Sequence, residues 1–204
     1  MAFYDISIGD FAEQLSAKMP TPGGGGASAL TAALAAALGS MTVNYTLGKK
    51  KYAAYEEELG GMLAELGEIQ KRLIGLMDED AAAFEPLSKA YSIPKDDPSR
   101  DEVMEKCLSD AAEAPMEIMR LTCRVIEILA ELGVKGSSLM QSDVGTGIVF
   151  AWSALYGAAL NVKVNTRLMK NRGRADALNA EVRELMEHWR TADEVYERIY
   201  NKLS

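Results

Sequence analysis

Asp80 is the carboxylate whose position in this chain says most about chemistry. Between Tyr52 and Tyr91 the residues Leu66, Leu73, Met77, Phe84 and Leu87 recur at intervals of three, four and seven, and Asp80 fills the gap in that stripe. A carboxylate on a core face costs several kcal/mol, by order of magnitude, unless it is paired or neutralised, so Asp80 requires a partner or a raised pKa. Three readings fit: a structural salt bridge, a cap on a neighbouring helix, or part of a ligand site. Asp78 and Glu79 point elsewhere and read as surface acids.

A second informative stretch runs from Pro20 through Thr21, Pro22, Gly23, Gly24, Gly25, Gly26 and Ala27 to Ser28. The prolines restrict the backbone, the glycines free it, and a long run of helix formers follows abruptly. The pattern predicts a loop delivered to a helix N-terminus, where unpaired N–H groups and the helix dipole receive an anion, a carbonyl or a polar ring. A flexible connector is the plainer alternative. No Gly-Lys-Ser/Thr follows the glycines, and no strand supports a dinucleotide-binding turn.

Gln141 to Gly147 opens another mainly apolar segment, in which Ser142 or Asp143 can cap a helix. Further on, Asn161 and Asn165 are four apart and share a face, with Lys163, Arg167 and Lys170 on a neighbouring one. Arg172 and Arg174 extend a basic run that suits an anionic tail, although cations also suit helix C-termini. Lys49, Lys50 and Lys51 follow Gly48 in the same way. His188, the only histidine, lies far from these stretches in sequence, so neither a Ser-His-Asp nor a Cys-His mechanism is expected.

The elements around these residues are helical. A first helix is predicted from Ser7, with Phe11 and Leu15 inward, ending at Met19-Pro20. The Ala-rich helix follows and ends at Gly48. The next spans about Tyr52 to Tyr91, with Gly60-Gly61 as the place where it would break. Ser99 and Glu102 suggest a capping box for a helix reaching Leu132 and stopping at Gly133, kinked at Pro115 and without assigned chemistry. A last helix is expected over about Ala175 to Lys202. In the Ala-rich helix Ala33, Ala36, Ala37 and Gly39 permit close approach, while Ser28, Thr31, Ser40, Thr42 and Asn44 need partners. The architecture expected is all-α: a single-domain, up-and-down helical bundle over residues 1–204 with long, Ala-rich buried helices.

With 204 residues, 48% hydrophobic, the chain can bury one large core, and its net charge of -8 argues against general nucleic-acid binding. Two cysteines, Cys107 and Cys123, no metal-ligand spacing and no leader pattern point to a reducing cytoplasm. Two uncharged stretches, Ala27 to Leu47 and Val144 to Val162, approach the ~20 residues of a membrane span but are diluted with small and polar residues, so buried bundle helices are expected instead.

The proline-glycine stretch before an Ala-rich helix, Asn44, the segment Gly48 to Tyr52, Asp80 with Phe84, and Ser142-Asp143 through Asn161 and Asn165 resemble the cyclodeaminase/cyclohydrolase family. That family comprises the C-terminal half of formiminotransferase-cyclodeaminase and its free-standing bacterial relatives. Four glycines, where many relatives have three and a small residue, are a departure. The resemblance implies an all-helical homodimer with no tightly bound cofactor and no metal, acting on a tetrahydrofolate derivative that carries a one-carbon unit. Either 5-formimidoyltetrahydrofolate closes to 5,10-methenyltetrahydrofolate with loss of ammonia, or the methenyl bridge is hydrolysed to 10-formyltetrahydrofolate.

On this resemblance Asp143 is the first candidate carboxylate and Asp80 the second, with Lys50 or Lys49 as proton donor or aspartate orienter. Pro22, Gly23, Gly24, Gly25, Gly26, Ser28, Asn44, Ser142, Asn161 and Asn165 would hold the substrate. Lys163 and Arg167, with the rest of the basic run, would attract a polyglutamate tail. A non-catalytic folate-binding or scaffold protein, or a membrane-associated helical one, is the alternative; the first leaves the carboxylate on an apolar stripe unexplained.

Overall fold

The computed structural model describes residues 2–203. Four long helices form a ring in which every neighbour runs antiparallel: α2 (Gly24–Asn44), α3 (Glu56–Ala90), α4 (Arg100–Lys135) and α5 (Gln141–Leu168). Gly25 of α2 lies against Asp80 of α3 and Gly39 against Leu66, while Gly24 meets Asn161 of α5. Arg72 and Arg124 bridge to Glu117 and Glu65, which fixes α3 antiparallel to α4. Asn165 of α5 reaches Ala111 of α4. Shorter helices α1 (Ile8–Ser16), α6 (Arg172–Met186) and α7 (His188–Leu203) flank the ring. The expected all-helical, up-and-down bundle is therefore the fold.

The ring closes tightly because α2 presents small residues on several sides. Ala29, Ala32, Ala33, Ala35 and Ala36 are buried, and a Cβ on Gly39 would stand 3.0 Å from Leu66 Cδ1. Gly147 of α5 is equally confined, 3.2 Å from Leu129 Cδ1 by the same construction. Without these glycines the Leu66 and Leu129 side chains, both fully buried, would have to move apart. Of the polar residues in α2, Ser28, Thr31 and Thr42 donate to the carbonyls four residues earlier, while Ser40 Oγ is buried without a partner.

Several local boundaries differ from expectation. The glycines do not form the predicted loop: Gly24, Gly25 and Gly26 are the first turn of α2, and Gly23 is its N-cap. The helix ends at Asn44, before Gly48, whose φ of +74° suits a turn. A 3-10 segment, Lys50–Tyr55, precedes α3, which passes Gly60 and Gly61 unbroken. Ser99 is the N-cap residue of α4, but its side chain makes no capping bond because the hydroxyl donates to Asp97, and α4 continues past Gly133 to Lys135. Neither Ser142 nor Asp143 caps α5, since both lie inside its first turn. The expected last helix is two, divided between Met186 and His188. Ser7 does cap α1, which stops at Ser16, and Phe11 is buried, but Leu15 is 39% exposed. Asp78 is half-buried and accepts the Phe3 N–H at 2.7 Å, so it is an anchor for the N-terminal segment rather than a surface acid.

Both α2 and α5 meet the length and hydropathy of a membrane span. Here they are ring helices, and Tyr156, Leu160, Val164 and Leu168 leave an exposed apolar stripe at four-residue spacing along α5.

Candidate functional site

The N-terminus of α2, the C-terminal third of α3 and the C-terminal half of α5 meet around a cavity of about 190 Å³. Its lining includes Pro20, Thr21, Gly23, Gly24, Asp80 and Phe84. The Asp80 carboxylate accepts the backbone N–H of Gly26. A Cβ on Gly25 would fall on that carboxylate, so glycine is required for so close an approach. Among the described residues Asp80 has no cationic partner, which removes the salt-bridge reading. Burial pushes its pKa up, and the Gly26 N–H only partly offsets this. A helix-capping carboxylate that also faces a cavity thus accounts for its place on the core stripe.

The opposite wall is built by α4 and α5. Asn161 donates to the Gly157 carbonyl at 2.9 Å, and its amide lies against Gly24, with Nδ2 3.1 Å from where a Cβ there would stand. Asn165 donates to the carbonyls of Ala111 and Asn161, both at 3.0 Å. Ser28 sits behind this wall: its hydroxyl occupies the space of the missing Gly157 side chain and donates to Gly24, and it does not line the cavity. No chemistry was expected of α4, yet its Ala111 and Pro115 line the cavity. A proline inside a helix frees the carbonyl four residues before it, and that was the available signal.

The remaining sequence candidates divide between two ends of the bundle. Pro22 is buried beside the α2 N-terminus, next to the cavity-lining Thr21 and Gly23. Asn44, exposed at the far end of α2, lies ~30 Å from Gly24 at 1.5 Å rise per residue. Ser142 and Asp143 are likewise ~27 Å from Asn161 along α5. At that far end Lys49 Nζ donates to Ser137 Oγ at 3.2 Å, Lys50 is exposed, and Asp143 is half-buried without a partner among the described residues. Tyr52 accepts the Ser138 N–H at 3.0 Å, which, with smaller help from Lys51, lowers its phenol to about 8.

Most of the basic run is already paired. Lys170 bridges to Asp101, Arg172 to Asp176 and Arg174 to Glu113. Lys163 and Arg167 are exposed and unpaired among the described residues. His188 binds Glu127 at 3.1 Å and the Leu185 carbonyl through its other nitrogen, a structural arrangement remote from the cavity. Cys123 is buried against the Leu185 carbonyl, and burial raises its thiol to about 12, which makes it a poor nucleophile.

The sequence profile of the formiminotransferase-cyclodeaminase family matches residues 7–184. A methenyltetrahydrofolate cyclohydrolase of Methylorubrum extorquens is 32% identical over 97% of this chain and 98% of its own length. A formimidoyltransferase-cyclodeaminase of Dictyostelium discoideum is 32% identical over 98% of this chain but 36% of its own length. The chain thus spans about a third of such relatives, including that of Sus scrofa. The fold is similar to that of formiminotetrahydrofolate cyclodeaminase from Thermotoga maritima, with a TM-score of 0.86, 25% identity, and coverage of 97% of this chain and 96% of that one.

Proposed function

Since the chain belongs to the formiminotransferase-cyclodeaminase family, we propose that the cavity around Asp80 is where it acts on the N5/N10 bridge of tetrahydrofolate. The protein is a folate one-carbon enzyme, a cyclodeaminase, a methenyltetrahydrofolate cyclohydrolase, or both. The observation that carries the placement is Asp80: a half-buried carboxylate, unpaired by any cation among the described residues, facing a cavity at a helix N-terminus. At about 190 Å³ the cavity is below the ~300–1,000 Å³ of sites that enclose whole ligands, so it receives the ring and bridge while the rest of the folate lies outside.

The cyclodeaminase reaction moves one proton overall. N10 attacks the formimidoyl carbon, the N10–C bond forms, the bond from carbon to the departing nitrogen breaks, and the N10 proton ends on ammonia. A single carboxylate with a raised pKa suits both halves of that transfer, taking the proton from N10 and returning it to the leaving group. Ionised, it also faces the amidinium charge. In the hydrolytic direction the same carboxylate takes a proton from the water that adds to the methenyl carbon. Neither reaction changes oxidation state, so neither needs a redox cofactor.

We further propose a cytoplasmic homodimer formed through the exposed α5 stripe. Asp143 and Asn161 are eighteen positions apart, five full turns, and so share one side of α5. A two-fold axis crossing the middle of α5 would carry the partner's far end, with its lysines and carboxylate, to this cavity. This keeps the aspartate at 143 and the lysine at 50 in play as groups supplied across the interface. Lys163 and Arg167, exposed and unpaired among the described residues, would receive a polyglutamate tail.

The test follows the near-ultraviolet absorbance of methenyltetrahydrofolate. A protein-dependent rise from 5-formimidoyltetrahydrofolate identifies the cyclodeaminase, and a protein-dependent fall from the methenyl compound the cyclohydrolase. Neither change, with saturable binding of reduced folate, would mean a non-catalytic folate-binding protein.

A further inference from the structure

We propose that Pro115 is a positioning residue of this site: it fixes the amide of Asn165 so that its oxygen accepts an N–H of the bound reduced pterin. The proposal rests on the assignment of the Asp80 cavity to folate. In an α-helix each N–H bonds the carbonyl four residues back, and proline has none to give. Helix α4 runs uninterrupted from Arg100 to Lys135 with Pro115 inside it, so the Ala111 carbonyl lacks its usual helical partner. Asn165 Nδ2 takes that place at 3.0 Å, and its second hydrogen goes to the Asn161 carbonyl, also at 3.0 Å.

Both of these partners are carbonyl oxygens and can only accept. The side-chain atom facing them must therefore be nitrogen, and one of the two orientations of the amide is selected. The Asn165 side chain is held in a residue that is 7% exposed, and its Oδ1 has no partner among the described residues. Among the described residues the buried unpaired side-chain oxygens are Ser40 Oγ and Gln141 Oε1 and not this one, so it opens onto the cavity that Asn165 lines. It presents an acceptor and nothing else. With the Asp80 carboxylate on the facing wall, the cavity selects a ligand edge that donates, as the N–H groups of a reduced pterin do, and disfavours an edge of ring acceptors. Were residue 115 not proline, its N–H would compete for the Ala111 carbonyl and weaken one of the two bonds that fix the orientation of Asn165.

The same logic separates a ligand role from a structural one. Asn165→Leu alone leaves the Ala111 carbonyl buried and unpaired, so it should lose stability. Pro115→Ala supplies the missing N–H, and the double variant P115A/N165L should regain wild-type melting behaviour. Calorimetric binding of 5-formyltetrahydrofolate should nonetheless remain weaker in the double variant by about tenfold, the loss of one good hydrogen bond. P115A alone should raise KM several-fold with kcat changed less. A stable double variant that binds within twofold of wild type would overturn the acceptor role, and an unchanged KM in P115A would overturn the positioning role. If folded wild-type protein fails to bind reduced folate, the substrate assignment falls, and this proposal falls with it.

Discussion

Gly25 and Asp80 compete for one volume: the place where an alanine at position 25 would put its Cβ is the place of the Asp80 carboxylate oxygens. The carboxylate approaches the first turn of α2 closely because that turn is stripped of side chains, and it accepts the Gly26 N–H there. A glycine in a helix costs ~0.5–1 kcal/mol relative to alanine, so this turn sacrifices stability to admit a charged group.

Gly25→Ala should therefore displace Asp80 and lower turnover at least tenfold. In an Asp80→Ala background the same change should cost no further activity and should gain about 0.5–1 kcal/mol of stability. A double-mutant cycle on kcat and on melting temperature measures both, and additive losses in kcat would refute the coupling.

Asp80→Asn should reduce turnover by about 10²-fold or more, as expected for a lost proton-transfer group. Stability should move the other way, because the folded pKa of Asp80 is raised above its unfolded value. Its favourable contribution is complete below the unfolded pKa near 3.8 and is lost as pH rises through the folded one. The stability advantage of the asparagine variant should accordingly be greater at pH 7 than at pH 4, checked by thermal melts across that range.

Tyr52 should contribute an ultraviolet phenolate transition near pH 8, against 10.0 for an ordinary tyrosine, because the Ser138 N–H favours its ionised form. Tyr52→Phe should remove that transition. With a lowered folded pKa, the associated stability is present above the unfolded pKa and disappears as pH falls through about 8. A wild-type titration in which every tyrosine ionises near 10 would contradict it.

Removing both Lys163 and Arg167 charges should erase preference for polyglutamylated over monoglutamyl substrate, measured as a ratio of KM values. Arg174→Ala should leave that ratio unchanged, since this guanidinium is committed to Glu113.

Leu160→Glu places a charge on the exposed α5 stripe and should convert a dimer to a species of 22.1 kDa in sedimentation. Turnover should fall with dissociation if the partner's far end completes the cavity. A variant that is monomeric and fully active would exclude a shared site.

The sequence by itself determined the helical class, the buried Ala-rich helix, the pairing of Asn161 with Asn165, and the anomaly of Asp80, because each follows from periodicity along one helix. The loop expected from four glycines was misplaced for a local reason: glycine permits a helical turn as readily as a loop, and the choice depends on what packs against it. Only the tertiary structure decided that Asp80 faces Gly25 and Gly26, that Asn165 repairs the gap left by Pro115, and that Asp143 lies at the opposite end of the bundle. Those are contacts between residues far apart in sequence, fixed by the antiparallel order and axial register of four helices. Register is set by how small residues and large side chains interlock across the whole interface, and no single helix carries that information.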